Sequence, residues 1–245
     1  MHMPTRLTLT AASLLLAFSS SAFAAPDKAT AALYKAAIEH PAREADRKDD
    51  AKRKPAEFLE FAEVRPGMRV LDIVSGGGAT SELLALAVGD KGEVLAQNSK
   101  PSERLTARLA AKPQANLKPV VTDFANPVPA GTAPLDLITI NMNYHDIVNT
   151  PADRAAMNKA LYSALKPGGK VVIIDNAAKA GTGLAHTNTL HRIDEAEVVK
   201  ELTAAGFALD ASSKFLDVAD DPREQPFFKM EGKPDAKFAL RFVKK

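Results

Sequence analysis

Asp72 and the three consecutive glycines Gly76, Gly77 and Gly78 form the stretch of this chain best suited to hold a ligand. They lie in RVLDIVSGGGATSEL, residues 69–83. An acid inside an apolar run, then glycines, then a helix-forming segment is the pattern of a buried strand, a tight turn and a helix. The free N–H groups of that helix point back over the strand end. Glycine admits positive φ and lets a ligand approach the backbone without a Cβ in the way. Open α/β sheets bind nucleotide-like ligands at such a turn; a glycine-rich loop that only reverses the chain is the plainer reading. A second candidate group is NMNYHD, residues 141–146. Its His145 and Asp146 form either a proton-transfer pair, because imidazole titrates near neutrality, or a hydrogen-bonded loop pair. His186 and His191 are five apart, off the four-residue spacing that puts two ligands on one helical face. With no His-Glu-x-x-His pattern and no cysteine, no metal site is expected, although another loop can bring a ligand to His145 and Asp146. Ser75 lacks the Gly-x-Ser-x-Gly setting of a hydrolase nucleophile.

The apolar runs supply the elements that must position these residues. Strands are predicted over 69–74, 93–97, 118–122, 135–141 and 170–175. Helices are predicted over 27–40, 55–64, 79–88, 102–111, 152–165 and 194–205. Pro41 ends the first, Thr150 and Pro151 open the fifth, and Gly206 caps the last. Lys166-Pro167-Gly168-Gly169 stops a helix and turns into the strand at 170–175. Two closing strands, 207–215 and 237–243, are joined by the loop 216–235 with no helix between them, which implies an antiparallel addition at one edge. The alternation implies an α/β protein with a mostly parallel sheet covered on both faces. The densest charged run, 43–54, mixes both signs and reads as a solvated helix face or mobile arm.

The 245 residues carry a net charge of only +2. Basic residues form no stripe with interleaved aromatics, so nucleic-acid binding is not suggested. The absence of cysteine removes disulfides, thiolate metal sites and cysteine nucleophiles together. Arg6 precedes an apolar run over 7–17, and Ala22-Phe23-Ala24 fits the small-x-small pattern of a signal peptide cleaved after Ala24. The run is too short for a stable membrane anchor. Export, to a bacterial periplasm, is therefore expected. The resulting division is a signal peptide at 1–24, a helical extension at 25–54 and a single domain at 55–245.

From residue 55 onward the order of motifs resembles the class I S-adenosylmethionine-dependent methyltransferases. The resemblance rests on VLDIVSGGG at 70–78, LKPGG at 165–169 and the closing antiparallel pair. Arg65-Pro66-Gly67-Met68 and Asn143-Tyr144-His145-Asp146 are similar to segments of an exported methyltransferase-like group within that superfamily. The resemblance implies a doubly wound, Rossmann-like α/β fold: a seven-stranded, mostly parallel sheet with an antiparallel closing strand. It also implies S-adenosylmethionine as cofactor and a small-molecule methyl acceptor. The alternative is an exported, non-catalytic protein of the same fold that binds a small ligand or partner. A dinucleotide oxidoreductase matches less well, because Ser81 stands where its turn needs glycine or alanine.

The same resemblance implies roles for individual residues. The acid-x-Gly-x-Gly-x-Gly turn maps onto Asp72, Val74, Gly76 and Gly78, so valine replaces the first glycine. Gly76, Gly77 and Gly78 are expected beneath the methionine part of the cofactor. Gln97 and Asn98 occupy the place of an acid that accepts from the ribose hydroxyls, and an amide is the weaker acceptor. Asp123 is expected near the adenine amino group, with Phe124 as an apolar wall, and Asn141 where cofactor and acceptor meet. The plainer readings are Asp123 as a turn-forming or helix-capping acid and Phe124 as a core residue. For a hydroxyl acceptor, His145 is the expected base, Asp146 orients it and Tyr144 lines the acceptor pocket. From the residues themselves, His191 is a second candidate, and Arg192 either receives an acidic group of the substrate or makes a structural contact with Asp194.

Overall fold

The computed structural model describes residues 26–132 and 134–245, so the expected signal peptide lies outside the described residues. Its strands are β1 (Arg69–Ile73), β2 (Glu93–Asn98), β3 (Leu117–Val121), β4 (Leu135–Asn141), β5 (Leu165–Asn176), β6 (Ala208–Ser213) and β7 (Lys237–Val243). They form one sheet in the order β3-β2-β1-β4-β5-β7-β6, with β7 antiparallel to both of its neighbours. This is the α/β architecture expected from the alternation of elements.

Apolar residues fill both faces of the central strands, which is why β1 and β4 read as near-continuous hydrophobic runs. Val70 packs on one side with α1 (Lys28–Glu39), α3 (Pro55–Phe61), α4 (Ala79–Val88) and α5 (Glu103–Ala111). Leu71 and Ile73 pack on the other with α6 (Tyr144–Val148), α7 (Arg154–Ala164) and α8 (Glu195–Ala204). Side-chain caps set several helix starts: Asp27 accepts from Thr30 N, Ser102 from Leu105 N and Asp194 from Ala196 N. The start of α7 is also a side-chain cap, but Asp153 supplies it by accepting from Ala156 N. Thr150 instead donates to Ile147 O and closes the turn after α6.

Two expectations are corrected. The Leu-Lys-Pro-Gly-Gly segment does not precede the fifth strand but belongs to it. Leu165 pairs with Leu135 and Lys170 with Leu137, so six residues of β5 lie opposite three of β4 in a wide bulge. Main-chain bonds from Gly168 N to Lys244 O and from Lys244 N to Gly169 O hold the bulge against the chain terminus. Of the two readings of the charged run at 43–54, the solvated helical face holds and the mobile arm does not. The run folds into two 3₁₀ turns and α2 (Asp50–Arg53) and is tied down by Arg43, which is 3% exposed. Arg43 Nη2 donates to Asp50 Oδ1 at 2.7 Å, and Nη1 donates to Ile38 O at 2.7 Å.

Candidate active site

The C-terminal ends of β1 and β4 meet where the strand order reverses, and a cleft of about 920 Å³ opens over them. Its floor is Asp72, Val74, Ser75, Gly76 and Gly77. Asp72 is fully enclosed: Ser81 Oγ donates to it at 2.5 Å and Thr139 Oγ1 at 2.7 Å. Burial raises its pKa to about 6 despite those two bonds. The turn that follows uses positive φ at Val74 (56°), Gly76 (57°) and Gly78 (83°). A Cβ on Gly76 would meet nothing within 4 Å, whereas one on Gly78 would lie 2.5 Å from Leu105 Cδ1. Gly76 therefore keeps the cleft open and Gly78 lets α4 pack. Val74 adopts a left-handed conformation, which for a β-branched residue is strained.

Arg108 staples this turn. Its Nε donates to Gly77 O at 2.8 Å, its two terminal nitrogens grip Asp46 at 2.7 and 2.9 Å, and it pairs with the buried Glu82. The extension thus reaches the glycine turn through one side chain. Asp46, Asp49, Lys52 and Arg53 also line the cleft, a role the charge pattern alone did not suggest.

The amides at the end of β2 face this turn. Gln97 is buried, accepts from Val74 N at 3.2 Å and donates to Thr122 O at 2.7 Å. Asn98 accepts from Gly76 N at 2.9 Å and donates to Ser75 Oγ at 2.8 Å. Their polar groups are engaged in holding β1, β3 and the turn together. Asp123 is exposed and lies in a tight turn closed by Asn126 N on its carbonyl; Phe124 is half-buried and packs into the core beneath. Neither lines the cleft. Asn141 does, and its Oδ1 is buried without a hydrogen-bond partner.

A second cleft of about 440 Å³ shares Met142, Asn143, Phe227 and Lys237 with the first. His145, Asp146, Asn176 and His191 line it. His145 is 2% exposed and clamped by Asp175, which takes its main-chain N–H at 2.8 Å and its Nδ1 at 2.6 Å. Nε2 faces Asp146 Oδ1 at 3.2 Å, and His191 Nδ1 reaches the same oxygen at 3.4 Å. Burial disfavours charge on His145, but the bonds to Asp146 and Asp175 outweigh it and raise its pKa to about 9. The hydrogen bond from His145 holds Asp146 below the usual carboxylate range.

Asp146 therefore does contact His145, but the residue that fixes the ring is Asp175, which the sequence reading missed. Its signal was present as an acid closing an apolar strand at VVIID, the same pattern as Asp72. Tyr144 does not line the acceptor side. Its hydroxyl donates to Glu201 at 2.7 Å and accepts from Asn158 at 2.8 Å, because the first turn of α6 points it into the core. Arg192 is equally removed, paired at 2.8 Å with Asp221 in the interior. Met142 and His191, which flank the second cleft, both hold positive φ, at 58° and 52°.

The sequence profile of the methyltransferase domain family matches residues 70–169. Over 119 residues the chain is 32% identical to the ubiquinone/menaquinone biosynthesis C-methyltransferase of Shewanella sp. strain W3-18-1, covering 48% of this chain and 46% of that protein. The chain thus spans about half the length of the curated relatives it matches. A crystal structure of an S-adenosylmethionine-dependent methyltransferase from Aquifex aeolicus aligns with a TM-score of 0.61 at 18% identity, covering 88% of this chain and 98% of that one. Fibrillarin from Aeropyrum pernix, solved with natively bound S-adenosyl-L-methionine, aligns with a TM-score of 0.52 at 16% identity over 76% and 74% of the two chains. These structures share the fold.

Proposed function

We infer that the chain is a class I S-adenosylmethionine-dependent methyltransferase that transfers a methyl group to a small-molecule acceptor, a reading supported by its sheet order and its matched domain. The observation that carries this reading is the continuity of the two clefts through Met142 and Asn143. The larger has the features a cofactor needs: no Cβ over Gly76, an enclosed acid at Asp72 and an unpartnered carbonyl oxygen on Asn141. When bound there, S-adenosylmethionine supplies an electrophilic methyl on a sulfonium. Gly76, Gly77 and Asn141 hold its methionine end, and Asn143 with Met142 frames the passage into the smaller cleft.

Methyl transfer is an in-line displacement that gains most from alignment and exclusion of water. Asp175 fixes the His145 ring, so Nε2 is presented to the acceptor cleft in one orientation, with Asp146 and His191 beside it. As found, His145 carries a proton at neutral pH. It serves as a base only once Asp146 turns away and the proton on Nε2 is lost, which frees that nitrogen to accept one from the acceptor.

Calorimetric titration with S-adenosylmethionine and S-adenosylhomocysteine tests this reading. Saturable binding is expected, weakened roughly fivefold by Asn141→Ala, the size of one net hydrogen bond. His145→Ala should abolish turnover and leave cofactor affinity nearly unchanged. Absence of heat with both ligands overturns the reading and leaves a fold that binds some other ligand. Export is part of the proposal. Recovery of a chain beginning at Ala25 from a periplasmic fraction supports it, and a retained Met1 counts against it.

A further inference from the structure

We propose that His145, Asp146 and His191 form a binding site for a zinc-class divalent transition-metal ion on the wall of the smaller cleft. One donor atom from each residue lies within 4.8 Å of the other two. His145 Nε2 and His191 Nδ1 approach the same Asp146 oxygen at 3.2 and 3.4 Å. Donors about 2.0–2.2 Å from a tetrahedral ion stand roughly 3.3–3.5 Å apart. That matches the two distances to Asp146, while the two ring nitrogens, within 4.8 Å of each other, close by rotation of the partly exposed His191. Two imidazoles and one carboxylate suit zinc and its neighbours rather than calcium or magnesium, which take oxygen donors.

Two further observations separate this group from a chance cluster. First, the Nδ1 of His145 is bound at 2.6 Å by Asp175, which is fully buried and also accepts the main-chain N–H groups of His145 and Asn176. A carboxylate behind a histidine fixes the tautomer and turns the other nitrogen outward as a ligand. Second, Asn176, only 3% exposed, lines the same cleft and leaves its Oδ1 without a partner. Its Nδ2 donates to His191 O at 3.0 Å and so ties the His191 loop to the end of β5, with His191 held at positive φ. Strain of this kind persists where the surroundings impose it. The remaining side of the site opens on the 440 Å³ cleft, where an oxygen or nitrogen donor on an incoming molecule completes the coordination. The nearby Lys237 is paired with Asp235 at 2.5 Å, which offsets its charge. The site does not depend on the cofactor assignment, and an ion held on His145 Nε2 replaces the role of that nitrogen as a base.

The test uses the untagged full-length chain, dialysed against zinc and then against buffer, with bound metal measured by mass spectrometry. Cobalt substitution, followed by its visible bands, gives a second readout. One retained equivalent of zinc is expected, with low-coordinate cobalt bands that zinc abolishes. His191→Ala and Asp146→Asn, both at partly exposed positions, should each weaken binding about tenfold or more without lowering the melting temperature of the metal-free protein. Asp175→Asn, a positioning change, should weaken it by about ten- to a hundredfold and shift the cobalt bands. His186→Ala should change nothing. The proposal is overturned by failure to retain zinc, by binding that survives both ligand substitutions, or by equal loss in His186→Ala.

Discussion

At the β1 end of the cleft, the groups that face a ligand come from one unbroken segment, residues 72–78, and most are main-chain groups. At the other end they are ring nitrogens and a carboxylate delivered by two separate segments, the start of α6 and the loop before α8, and backed by the end of β5. The first end holds its shape through backbone conformation and one arginine staple. The second holds it through a buried carboxylate and a tethered loop. A site made of backbone is hard to damage by side-chain changes within it and easy to damage through its supports. A site made of side chains shows the opposite sensitivity.

The sharpest way to break this contrast is to remove the staple. Arg108→Ala leaves Glu82 buried without its cation and frees Asp46 and Gly77 O. Breaking such a pair from one side costs about 3 kcal/mol or more, and a large fall in melting temperature is expected. Cofactor affinity should fall with it, because the turn loses its outer support. Metal retention at His145, Asp146 and His191 should persist in the folded fraction. Equal loss at both ends would mean that the two regions fold and fail as one.

Asp72 gives the next largest effect, with a pH signature. Its folded pKa, raised to about 6, lies above the unfolded value near 3.8. Stability from this residue is thus complete below pH 3.8 and declines as pH rises through 6, because the unfolded chain ionises first. The difference corresponds to roughly 3 kcal/mol above pH 6, with the opposing hydrogen bonds from Ser81 and Thr139 already included. Asp72→Asn should therefore raise stability at neutral pH by about 2 kcal/mol and flatten the decline between pH 4 and 6. Denaturant unfolding at a series of pH values measures both. A mutant no more stable than the parent at pH 7 would show that the two donors fully compensate the buried charge.

The same contrast explains what could be read from the chain beforehand. Sheet composition, helix positions and the glycine turn follow from local periodicity and from residues adjacent in sequence, so 69–88 reads almost as it folds. The acceptor side does not. His145 and Asp146 are neighbours, but Asp175 is thirty residues away and His191 reaches them only because β5 ends beside α6. Spacing rules for metal ligands assume one helix or one loop, and this group joins α6 to the loop before α8. Gln97 and Asn98 were misleading for a related reason. Their position at the end of β2 fits a ribose contact, yet the turn beside them offers unpaired N–H groups that an amide satisfies first.

Val74 is where the two ways of building a site compete within one residue, and its replacement by glycine should give the smallest effect. A residue with a Cβ in the left-handed region loses roughly 1–2 kcal/mol, and a β-branched one has fewer ways to relax. Glycine at 56° removes that strain. Against this, glycine is costlier to order by up to about 1 kcal/mol, and the half-buried isopropyl group leaves the core it packs against. The opposing terms are of similar size, so the melting temperature should move little. Affinity should move more, since the side chain lines the cleft and its removal gives a ligand room. A few-fold gain in S-adenosylmethionine affinity at nearly constant stability is the expected outcome for Val74→Gly. Val74→Ala keeps the strain and loses the packing, and should be the less stable of the two. If glycine instead lowers the melting temperature by several degrees and leaves affinity unchanged, Val74 is held for the core, and the narrowing of the turn is not what limits cofactor binding.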